Sequence, residues 1–530
     1  MQHRHPALQT ILLDRHLSLA DASLVADGAC QVALAPAARD RCAAAHARLA
    51  TIIAEDRHVY GITTGFGPLA NRLVDAADGA LLQQNLVNHL ATGVRPYFGW
   101  RQARAIVLAR LMSIVQGVSG ASLPAVMALI CLLNARLAPA IPSKGTVGAS
   151  GDLTPLAHMV LCFQGVGEFL LPDGLRVPAP EALADMGLPP MDLSRRDGLA
   201  LVNGTSAMTG VALLNAVSMR RAIDWAVTLT AALAEVQSAR VEAWDAAFGA
   251  VRPHPGQQSA AADLRACIAG SARVTVGRLC DRRLTGLGPL KEAVAGQDAY
   301  TLRCAPQVIG AVRDTADWHD RVVEVELSSA TDNPIFPDGP EVLALHGGNF
   351  MGQHVGLASD ALANAVVVLA GLAERQVARV TDETLNRGLP AFLHRGPGGL
   401  NSGLMGAQVT ATALLAEMRS IGPASVHSLS TNGANQDVVS MGTIAARHLA
   451  DKITTLSQIQ AILALAVVQA MDILDLTGPD LGFSPSAQGV RRMVRALSPA
   501  LERDRPLGRE IEAVAHALSQ SDPPEPGASR

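Results

Sequence analysis

The segment GTVGASGD at residues 145–152 carries the most distinctive chemistry in the chain. Within Ala149-Ser150-Gly151, the amide nitrogen of Gly151 can attack the carbonyl carbon of Ala149. Loss of water, including the Ser150 hydroxyl, then yields a methylidene-imidazolone electrophile. Glycine suits the attacking position because it has no Cβ and its nitrogen can approach the carbonyl in a tight turn. The tripeptide alone is weak evidence, since a turn that caps a helix through Ser150 or Asp152 explains the same residues.

A second glycine-rich segment, YGITTGFG at residues 60–67, contains one of only three tyrosines in the chain. Tyr60 offers a phenol for proton transfer, and Gly67 belongs to a flexible loop. No lysine occupies the position that a phosphate-binding loop needs, and no strand is predicted before the segment, so a nucleotide site is disfavoured. An ordinary glycine-rich turn with a packed tyrosine is an equal alternative on these residues alone.

Three further clusters place polar side chains beside apolar stretches. Asn203 opens a charge-free stretch, where its amide needs partners because an unpaired buried amide costs about 1–3 kcal/mol. Tyr300 and Arg303 are three residues apart and share one face if they are helical. Arginine binds carboxylates through two parallel N–H groups, although a salt bridge to an internal acid explains Arg303 equally well. The amide-rich residues 430–437 indicate either a polar pocket floor or a plain interhelical loop.

A metal site is not predicted. His346 and His354 lie in the Gly/Asn-rich stretch LHGGNFMGQH, but neither an HExxH motif nor a facial triad with a carboxylate accompanies them.

The composition of the chain predicts its fold class. Of 530 residues, 49% are hydrophobic, 17% are charged and 3% are aromatic, which excludes a disordered chain. The apolar mass is mostly Ala, Val and Leu, a mixture that favours close helix packing over a β-sandwich. We therefore expect an all-α protein, a large elongated helical bundle with a smaller, loop-rich N-terminal part.

Charge and cysteine usage limit the partners and the compartment. The net charge is −4 and no run of Lys or Arg forms a basic stripe, so neither nucleic acid nor a membrane is an expected partner. The seven cysteines are scattered without a CxxC motif, which favours a reducing cytoplasm. The first apolar run is too short for a secretory signal, and no export is expected.

Patterning divides the chain into three parts: residues 1–190 with the glycine-rich segments, a long-helix bundle over 191–518, and a disordered tail over 519–530. The charge-free stretches 111–135, 199–219 and 453–471 contain Gly, Pro, Asn or Gln, so they are predicted to be buried helices and not membrane spans. Residues 360–380 predict an amphipathic helix with Asp360 and Glu374 on its polar side.

Taken together, the clusters resemble the aromatic amino acid ammonia-lyase family, which includes histidine, phenylalanine and tyrosine ammonia-lyases. The resemblance spans almost the whole chain and implies that Ala149-Ser150-Gly151 cyclises autocatalytically to a methylidene-imidazolone, with no external cofactor and no metal. Seven motifs carry it in family order: YGITTGFG from Tyr60, GTVGASGDLTPLAH from Gly145, LVNGTSAM from Leu201, RPHPGQ from Arg252, GQDAYTLRCAPQ from Gly296, TDNP from Thr331 and NQDVVS from Asn435.

The resemblance also implies roles for individual residues. Tyr60 would take the β-proton of an amino acid substrate, Ser150 would supply the methylidene carbon, and Arg303 would bind the substrate carboxylate. Gly67 would let the Tyr60 loop close. Whether the electrophile takes the amine or the aromatic ring stays open. The remaining residues would surround the cofactor and amine or line a polar floor: Asn203, Tyr300, Gln436, Gln297, Asn333, Asn432 and Asn435. Asn432 departs from the plant phenylalanine enzymes, which carry glutamate there.

Substrate choice is expected to depend on the pair His89-Leu90. In the family, phenylalanine-specific members usually have Phe-Leu, histidine-specific members Ser-His, and tyrosine-specific members a histidine first. A buried imidazole can bind a para-hydroxyl, which a ring without that group leaves unpaired. The resemblance thus implies conversion of tyrosine to p-coumarate and ammonia, with weaker action on phenylalanine. A tyrosine aminomutase, or a phenylalanine or histidine ammonia-lyase, is the alternative.

The resemblance further implies a homotetramer whose active sites combine segments from different subunits. The charge-free helices agree with this expectation, because they need more apolar partners than one chain offers. A catalytically silent helical assembly protein is the other class considered. It would be expected to have lost Tyr60, Ser150 or Arg303, and all three are present.

Overall fold

A computed structural model describes residues 8–194, 196–281, 297–476 and 482–525. Within these residues the chain forms eighteen α-helices and seven short strands, which confirms the all-α prediction. The helices that precede residue 240 are α1 (Leu19–Ala26), α2 (Pro36–Ala54), α3 (Gly79–Leu90), α4 (Trp100–Val115), α5 (Leu123–Asn134), α6 (Leu153–Phe163), α7 (Ala179–Asp185), α8 (Asp197–Val202) and α9 (Ser206–Val236). The later helices are α10 (Ala246–Val251), α11 (Pro255–Cys267), α12 (Tyr300–Arg303), α13 (Ala305–Leu327), α14 (Gln353–Thr381), α15 (Met405–Ser420), α16 (Gly442–Asp475), α17 (Pro485–Leu497) and α18 (Gly508–Gln520).

The strands form three small sheets in the N-terminal third of the chain. The first sheet pairs β1 (Thr10–Leu13) with β2 (Gln31–Leu34) in parallel. The second pairs β3 (Val94–Tyr97) with β5 (Pro142–Lys144) in antiparallel. The third is antiparallel and joins β4 (Ala138–Pro139), β6 (Glu168–Leu170) and β7 (Arg176–Pro178) in that order. Strand β5 leads directly into the segment that carries Ser150.

The chain folds into two compact units that are not contiguous in sequence. The first unit contains Met1–Val217, His319–Asp360 and Pro423–Ala450, and the second contains Ser218–Trp318, Ala361–Gly422 and Asp451–Arg530. The predicted linear division at residue 190 stays a prediction. The predicted tail begins inside a helix, because α18 continues to Gln520, and residues 526–530 of that tail lie outside the described residues.

Helix α4 forms the centre of the first unit. Every residue from 103 to 115 is buried, including two arginines. Arg104 donates hydrogen bonds to the carbonyls of Val25, Ala26 and Leu133. Burial lowers the pKa of Arg104 to about 10, and the three carbonyls satisfy its donors in place of water. The buried Arg104 guanidinium is therefore paired with backbone.

The charge-free stretches lie mainly in buried helices, as predicted, although residues 116–122 form a loop between α4 and α5. Residues 453–471 lie within α16. Residues 199–219 form the end of α8 and the first half of α9, with a break at residues 203–205 that places Asn203 outside both helices. By length and composition, α14 and α16 could each cross a membrane. However, 67% of the most apolar 18-residue segment of α14 and 83% of that of α16 are buried within the protein. Long apolar core helices pass the same test, so the burial supports the core interpretation.

The amphipathic helix predicted over residues 360–380 lies within α14, but the prediction for two of its acids is wrong. Asp360 is 5% exposed and Glu374 is 2% exposed. Asp360 accepts a hydrogen bond from the Ser425 N–H at 2.6 Å, and Glu374 accepts one from the Thr412 hydroxyl at 2.7 Å. Partners distant in sequence therefore hold both carboxylates in the interior, which a periodicity argument does not detect.

Candidate active site

The Ser150 segment follows β5 and turns sharply before α6. Ser150 has a φ of 56° and Gly151 a φ of 75°, both in the left-handed region. A Cβ on Gly151 would lie 2.2 Å from the Gly204 carbonyl oxygen, and the same oxygen accepts the Asp152 N–H at 2.7 Å. Residue 151 must therefore be glycine for two reasons, its backbone conformation and its contact with the turn that follows Asn203.

The Ser150 hydroxyl is held by an amide from the segment at residues 431–436. Gln436 Nε2 donates to Ser150 Oγ at 3.1 Å. Gln436 Oε1 in turn accepts from the Thr431 hydroxyl and from Asn432 Nδ2, each at 2.7 Å. Both hydrogen bonds fix the orientation of the Gln436 amide, so its N–H groups point towards Ser150.

Asp152 joins the start of α6 to the start of α9. Its buried carboxylate accepts the Met208 N–H at 2.8 Å and a hydrogen bond from the Thr443 hydroxyl. Burial raises the pKa of the Asp152 carboxyl to about 6, while the hydrogen bonds from Thr443 and the α9 backbone act in the opposite direction. The carboxylate caps the N-terminus of α9 and fixes the residue next to Gly151.

Asn203 lies at the junction of α8 and α9, where a buried polar cluster fixes it. The Asn203 Nδ2 donates to Asp332 Oδ1 at 3.1 Å and to the Asn333 carbonyl at 2.9 Å. The backbone carbonyl of Asn203 accepts a hydrogen bond from Arg110. Asp332 also forms a fully buried ion pair with Arg196 at 2.9 Å. Asn203 is thus both a structural junction residue and, as described below, part of a cavity wall.

Tyr60 lies on the loop between α2 and α3 with its ring half-buried. Its ring meets the Phe66 ring edge-on, with 6.1 Å between centroids. The Gly67 N–H donates to Tyr60 Oη at 2.9 Å, and Gly67 has a φ of 53°. An N–H that points at the phenol oxygen stabilises negative charge that develops there when the proton leaves.

His89 and Leu90 are the last two residues of α3. In the single chain the His89 side chain is exposed and not buried as expected, because it lies at the end of the helix on the cavity rim. His89 Nδ1 lies 2.9 Å from the Asn85 carbonyl oxygen, four residues earlier on the same helix. Since a carbonyl only accepts, Nδ1 carries the proton in this contact. Nε2 of the neutral ring is then the nitrogen with a free lone pair.

These segments surround one cavity of about 670 Å³ within the first unit. Of the residues that the sequence singled out, eleven line it: Tyr60, Gly67, His89, Leu90, Ala149, Ser150, Asn203, Asn333, Asn432, Asn435 and Gln436. The volume is within the range of sites for small organic molecules. Segments from six separate stretches of sequence thus meet around the Ser150 hydroxyl.

The sequence matches the family described as aromatic amino acid lyase over residues 17–497. The chain belongs to this family. It is 61% identical to the tyrosine ammonia-lyase of Cereibacter sphaeroides, over 98% of this chain and 99% of that relative. It is 41% identical to the tyrosine ammonia-lyase of Cupriavidus metallidurans, over 98% and 97% of the two chains. The crystal structure of a tyrosine aminomutase from Streptomyces globisporus is similar with a TM-score of 0.91 and 38% identity, covering 96% of this chain and 97% of that one.

As a member of the aromatic amino acid lyases, the protein is a carbon–nitrogen lyase. Several cavity residues of this lyase were missed by the sequence reasoning: Phe66, Pro68, Leu69, Ala70, Leu86, Leu153, Leu199, Phe350, Met351, Asp437 and Val438. Leu86 could have been found, because it lies one helical turn before Leu90 on α3. Phe350 and Met351 lie in the Gly/Asn-rich stretch LHGGNFMGQH. This stretch has no helical or strand periodicity, so the sequence does not predict which way their side chains point.

Three predicted site residues of the lyase belong to the second unit and are not among the residues that line the cavity. Tyr300 and Arg303 form α12, with the Arg303 guanidinium carbon 4.7 Å from the centre of the Tyr300 ring, so the predicted shared face is confirmed. Arg303 also donates to the Gln297 side chain. Its buried Nε has no hydrogen-bond partner, and Tyr300 is 69% exposed.

Among the described residues of the lyase, no group of three or more His, Cys, Asp or Glu side chains could hold a metal ion. The two histidines of the LHGGNFMGQH stretch are engaged separately. His346 Nε2 accepts the Tyr60 N–H at 3.2 Å, and His354 lies near Glu326, a carboxyl whose pKa is raised by burial.

Proposed function

We propose that the protein is a tyrosine ammonia-lyase, which eliminates ammonia from L-tyrosine without oxidation to give p-coumarate and acts more weakly on L-phenylalanine to give cinnamate. Two relatives named as tyrosine ammonia-lyases support this proposal over nearly their full lengths. The observation that carries the choice of substrate is His89 in the cavity wall beside Leu90.

The hydrogen bond between His89 Nδ1 and the Asn85 carbonyl leaves Nε2 as the nitrogen that can accept a hydrogen bond from the substrate. With the proton on Nδ1 and donated to Asn85, Nε2 accepts a hydrogen bond from the para-hydroxyl of tyrosine. Phenylalanine has no hydroxyl, so it leaves Nε2 without this hydrogen bond. In the single chain His89 is exposed, so the proposed assembly would have to enclose this part of the site. A site built to bind a hydroxyl discriminates strongly against the analogue that lacks it.

The backbone of Ala149-Ser150-Gly151 fits the methylidene-imidazolone that the family uses. Ser150 and Gly151 form a tight left-handed turn, and the absence of a Cβ at residue 151 would permit the Gly151 nitrogen to attack the Ala149 carbonyl. These three residues would hold the group, with Gln436 next to the Ser150 side chain. Once formed, the group supplies an electrophilic carbon at which the substrate is activated.

The side chains around it perform the proton transfer. Tyr60 accepts the β-proton of the substrate at Oη as the phenolate and becomes the neutral phenol, and the Gly67 N–H favours the phenolate by donating to that oxygen. The half-buried Tyr60 loop excludes water when it closes over the cavity. General bases of this kind typically contribute about 10²- to 10⁴-fold to the rate.

The substrate carboxylate is assigned to Arg303. Its guanidinium is oriented from one side by the Tyr300 ring and from another by Gln297, and its Nε has no other partner. Bidentate binding of a carboxylate needs two N–H groups in one plane. The residues assigned to the surroundings of the amine and cofactor are Asn203, Tyr300 and Gln436, and those assigned to the polar floor are Asn333, Asn432 and Asn435.

A tyrosine aminomutase is the second candidate. It is favoured by the similarity to the Streptomyces globisporus aminomutase, whose fold matches with a TM-score of 0.91 and whose sequence is 42% identical over 470 residues. The identity to the Cereibacter sphaeroides lyase is higher and covers more of the chain. We therefore place the lyase first.

The assembly proposed is a homotetramer in the cytoplasm. The tetramer would bring Gln297, Tyr300 and Arg303 of one subunit to the cavity of another, which accounts for their absence from the cavity wall of the single chain. The cytoplasmic assignment is supported by the seven cysteines, which are free.

Two measurements test the proposal. The intact mass should be lower than that of the translated sequence by two water molecules, and Ser150→Ala should keep the fold, fail to lose both waters and lack activity. The kcat/KM values for tyrosine, phenylalanine and histidine should fall in that order. An unmodified mass in active protein would contradict the proposed methylidene-imidazolone. A preference for histidine would contradict the proposed specificity for tyrosine.

A further inference from the structure

The backbone on both sides of the Tyr60 α-carbon is held by side chains from outside its own loop. The Tyr60 N–H donates to His346 Nε2 at 3.2 Å, and Gln83 Nε2 donates to the Gly61 carbonyl at 2.9 Å. Neither Gln83 nor His346 is among the residues that line the cavity. Together with the Gly67 N–H on the phenol oxygen, they fix the residue at three points.

Gln83 is fully buried, and both ends of its amide are used. Its Oε1 accepts the Leu199 N–H at 2.8 Å while its Nε2 binds the Gly61 carbonyl. A Cβ on Gly198 would lie 2.9 Å from the Gln83 Cβ, so α3 and α8 touch at this point. One amide thereby links the Tyr60 loop to α3, the helix that carries His89, and to α8, the helix that precedes Asn203.

His346 connects the other side of Tyr60 to the Asn203 cluster. The next residue, Gly347, donates its N–H to Asn333 Oδ1 at 2.7 Å, and the Asn333 carbonyl accepts from Asn203 Nδ2. A continuous path of hydrogen bonds and one peptide unit therefore runs from Asn203 to the Tyr60 N–H. Such paths fix relative positions only while each acceptor keeps its lone pair.

The acceptor role requires His346 to be neutral at Nε2. Partial burial, with the charges of His58 and Arg196 nearby, holds the pKa of His346 below its ordinary value. The ring is therefore uncharged at neutral pH, in the state that accepts the Tyr60 N–H.

We propose that Gln83 and His346 are positioning residues that hold Tyr60 in the geometry needed to accept the β-proton. This inference rests on the proposed function, because Tyr60 acts as the base only in that reaction. A misplacement of a reacting group by about 1 Å lowers a rate by the order of 10²-fold. The two side chains act through the backbone of Tyr60 and touch no substrate.

The first test compares neighbouring glutamines on α3. Gln83→Met removes both hydrogen bonds at nearly constant volume, whereas Gln84→Met removes bonds to Asn88 and Gln164 instead. We expect kcat for tyrosine to fall by roughly 10- to 100-fold in Gln83→Met and to change only a few-fold in Gln84→Met. The inhibition constant of p-coumarate should stay near the wild-type value in both.

The second test uses His346, whose side chain is only partly buried, so that its replacement removes little packing. His346→Leu should lower kcat with little change in p-coumarate inhibition, and His346→Gln, which restores an acceptor, should recover most of the loss. Unchanged kcat in both His346→Leu and Gln83→Met would overturn the inference. So would a rise of the inhibition constant equal to the fall in kcat, since that indicates a distorted pocket.

Amide hydrogen exchange separates this inference from the proposed function. Exchange of residues 60–67 should accelerate in Gln83→Met and His346→Leu and stay unchanged in Gln84→Met, whatever the substrate. If wild-type protein does not convert tyrosine, the proposed function fails on its own. If exchange of this segment is the same in all variants, the positioning role is refuted.

Discussion

At the scale of single residues, the choice of substrate depends on one ring nitrogen of His89. We predict that His89→Phe shifts preference from tyrosine to phenylalanine. The substitution removes the acceptor for the para-hydroxyl and fills the space with an apolar ring, and a hydrogen bond of this kind contributes about 0.5–1.5 kcal/mol. The ratio of kcat/KM for the two amino acids in both proteins measures the shift.

The control for this substitution is His46→Phe. His46 is tethered in the same way, with Nδ1 3.0 Å from the Gly120 carbonyl, but it is not among the residues that line the cavity around Ser150. It should leave the ratio unchanged. An unchanged ratio in His89→Phe as well would mean that His89 does not bind the substrate hydroxyl.

At the scale of elements, Asp152 joins α6 to α9 and makes their junction sensitive to pH. The pKa of its carboxyl is raised by burial from 3.8 to about 6, so the folded protein binds this proton more readily than the unfolded chain. Stability from this group is therefore greatest at low pH and is lost as pH rises through about 6. A shift of about 2 pKa units corresponds to roughly 3 kcal/mol.

We predict that Asp152→Asn removes this pH dependence. Asparagine can still accept the Met208 N–H and donate to the Thr443 hydroxyl, and it carries no charge. The difference in Tm between Asp152→Asn and wild type should therefore grow in favour of the variant between pH 5 and pH 8. The exposed Asp185→Asn is the control. A difference in Tm that is constant with pH would show that Asp152 does not carry a buried charge at pH 8.

At the scale of the whole molecule, the assembly proposed above predicts that subunits complement one another. The cavity belongs to the first unit, and Arg303 belongs to the second. If subunits share sites, co-expression of Tyr60→Phe with Arg303→Ala should restore part of the activity that each variant lacks alone. Activity assays on the co-purified mixture measure the restored activity, and sedimentation of the wild type measures the number of subunits in the active protein. An inactive mixture, or a fully active monomer, would contradict the shared site.

Much of this site could be predicted from sequence because its residues interrupt otherwise apolar helices. Tyr60, Asn203 and Ser150 each lie in an irregular segment between buried stretches, and the family resemblance ordered them. Their packing could not be predicted. The contact of Gly151 with the Gly204 carbonyl depends on two loops that are distant in sequence.

The same limit applies to the buried charges. Asp360 and Glu374 were expected on a polar helix face, yet both are buried because hydroxyl or N–H donors from other segments reach them. Helical periodicity describes one element at a time. It therefore gives the position of a charge on its helix but not the partner that buries it.

The most direct test of the central claim is the identity of the product formed from L-tyrosine. Purified wild-type protein is incubated with L-tyrosine, and p-coumarate, ammonia and β-tyrosine are each quantified over the same time course. The account predicts p-coumarate and ammonia in equal amounts, and no product with Ser150→Ala. Accumulation of β-tyrosine as the main product would contradict the lyase assignment and make the protein an aminomutase.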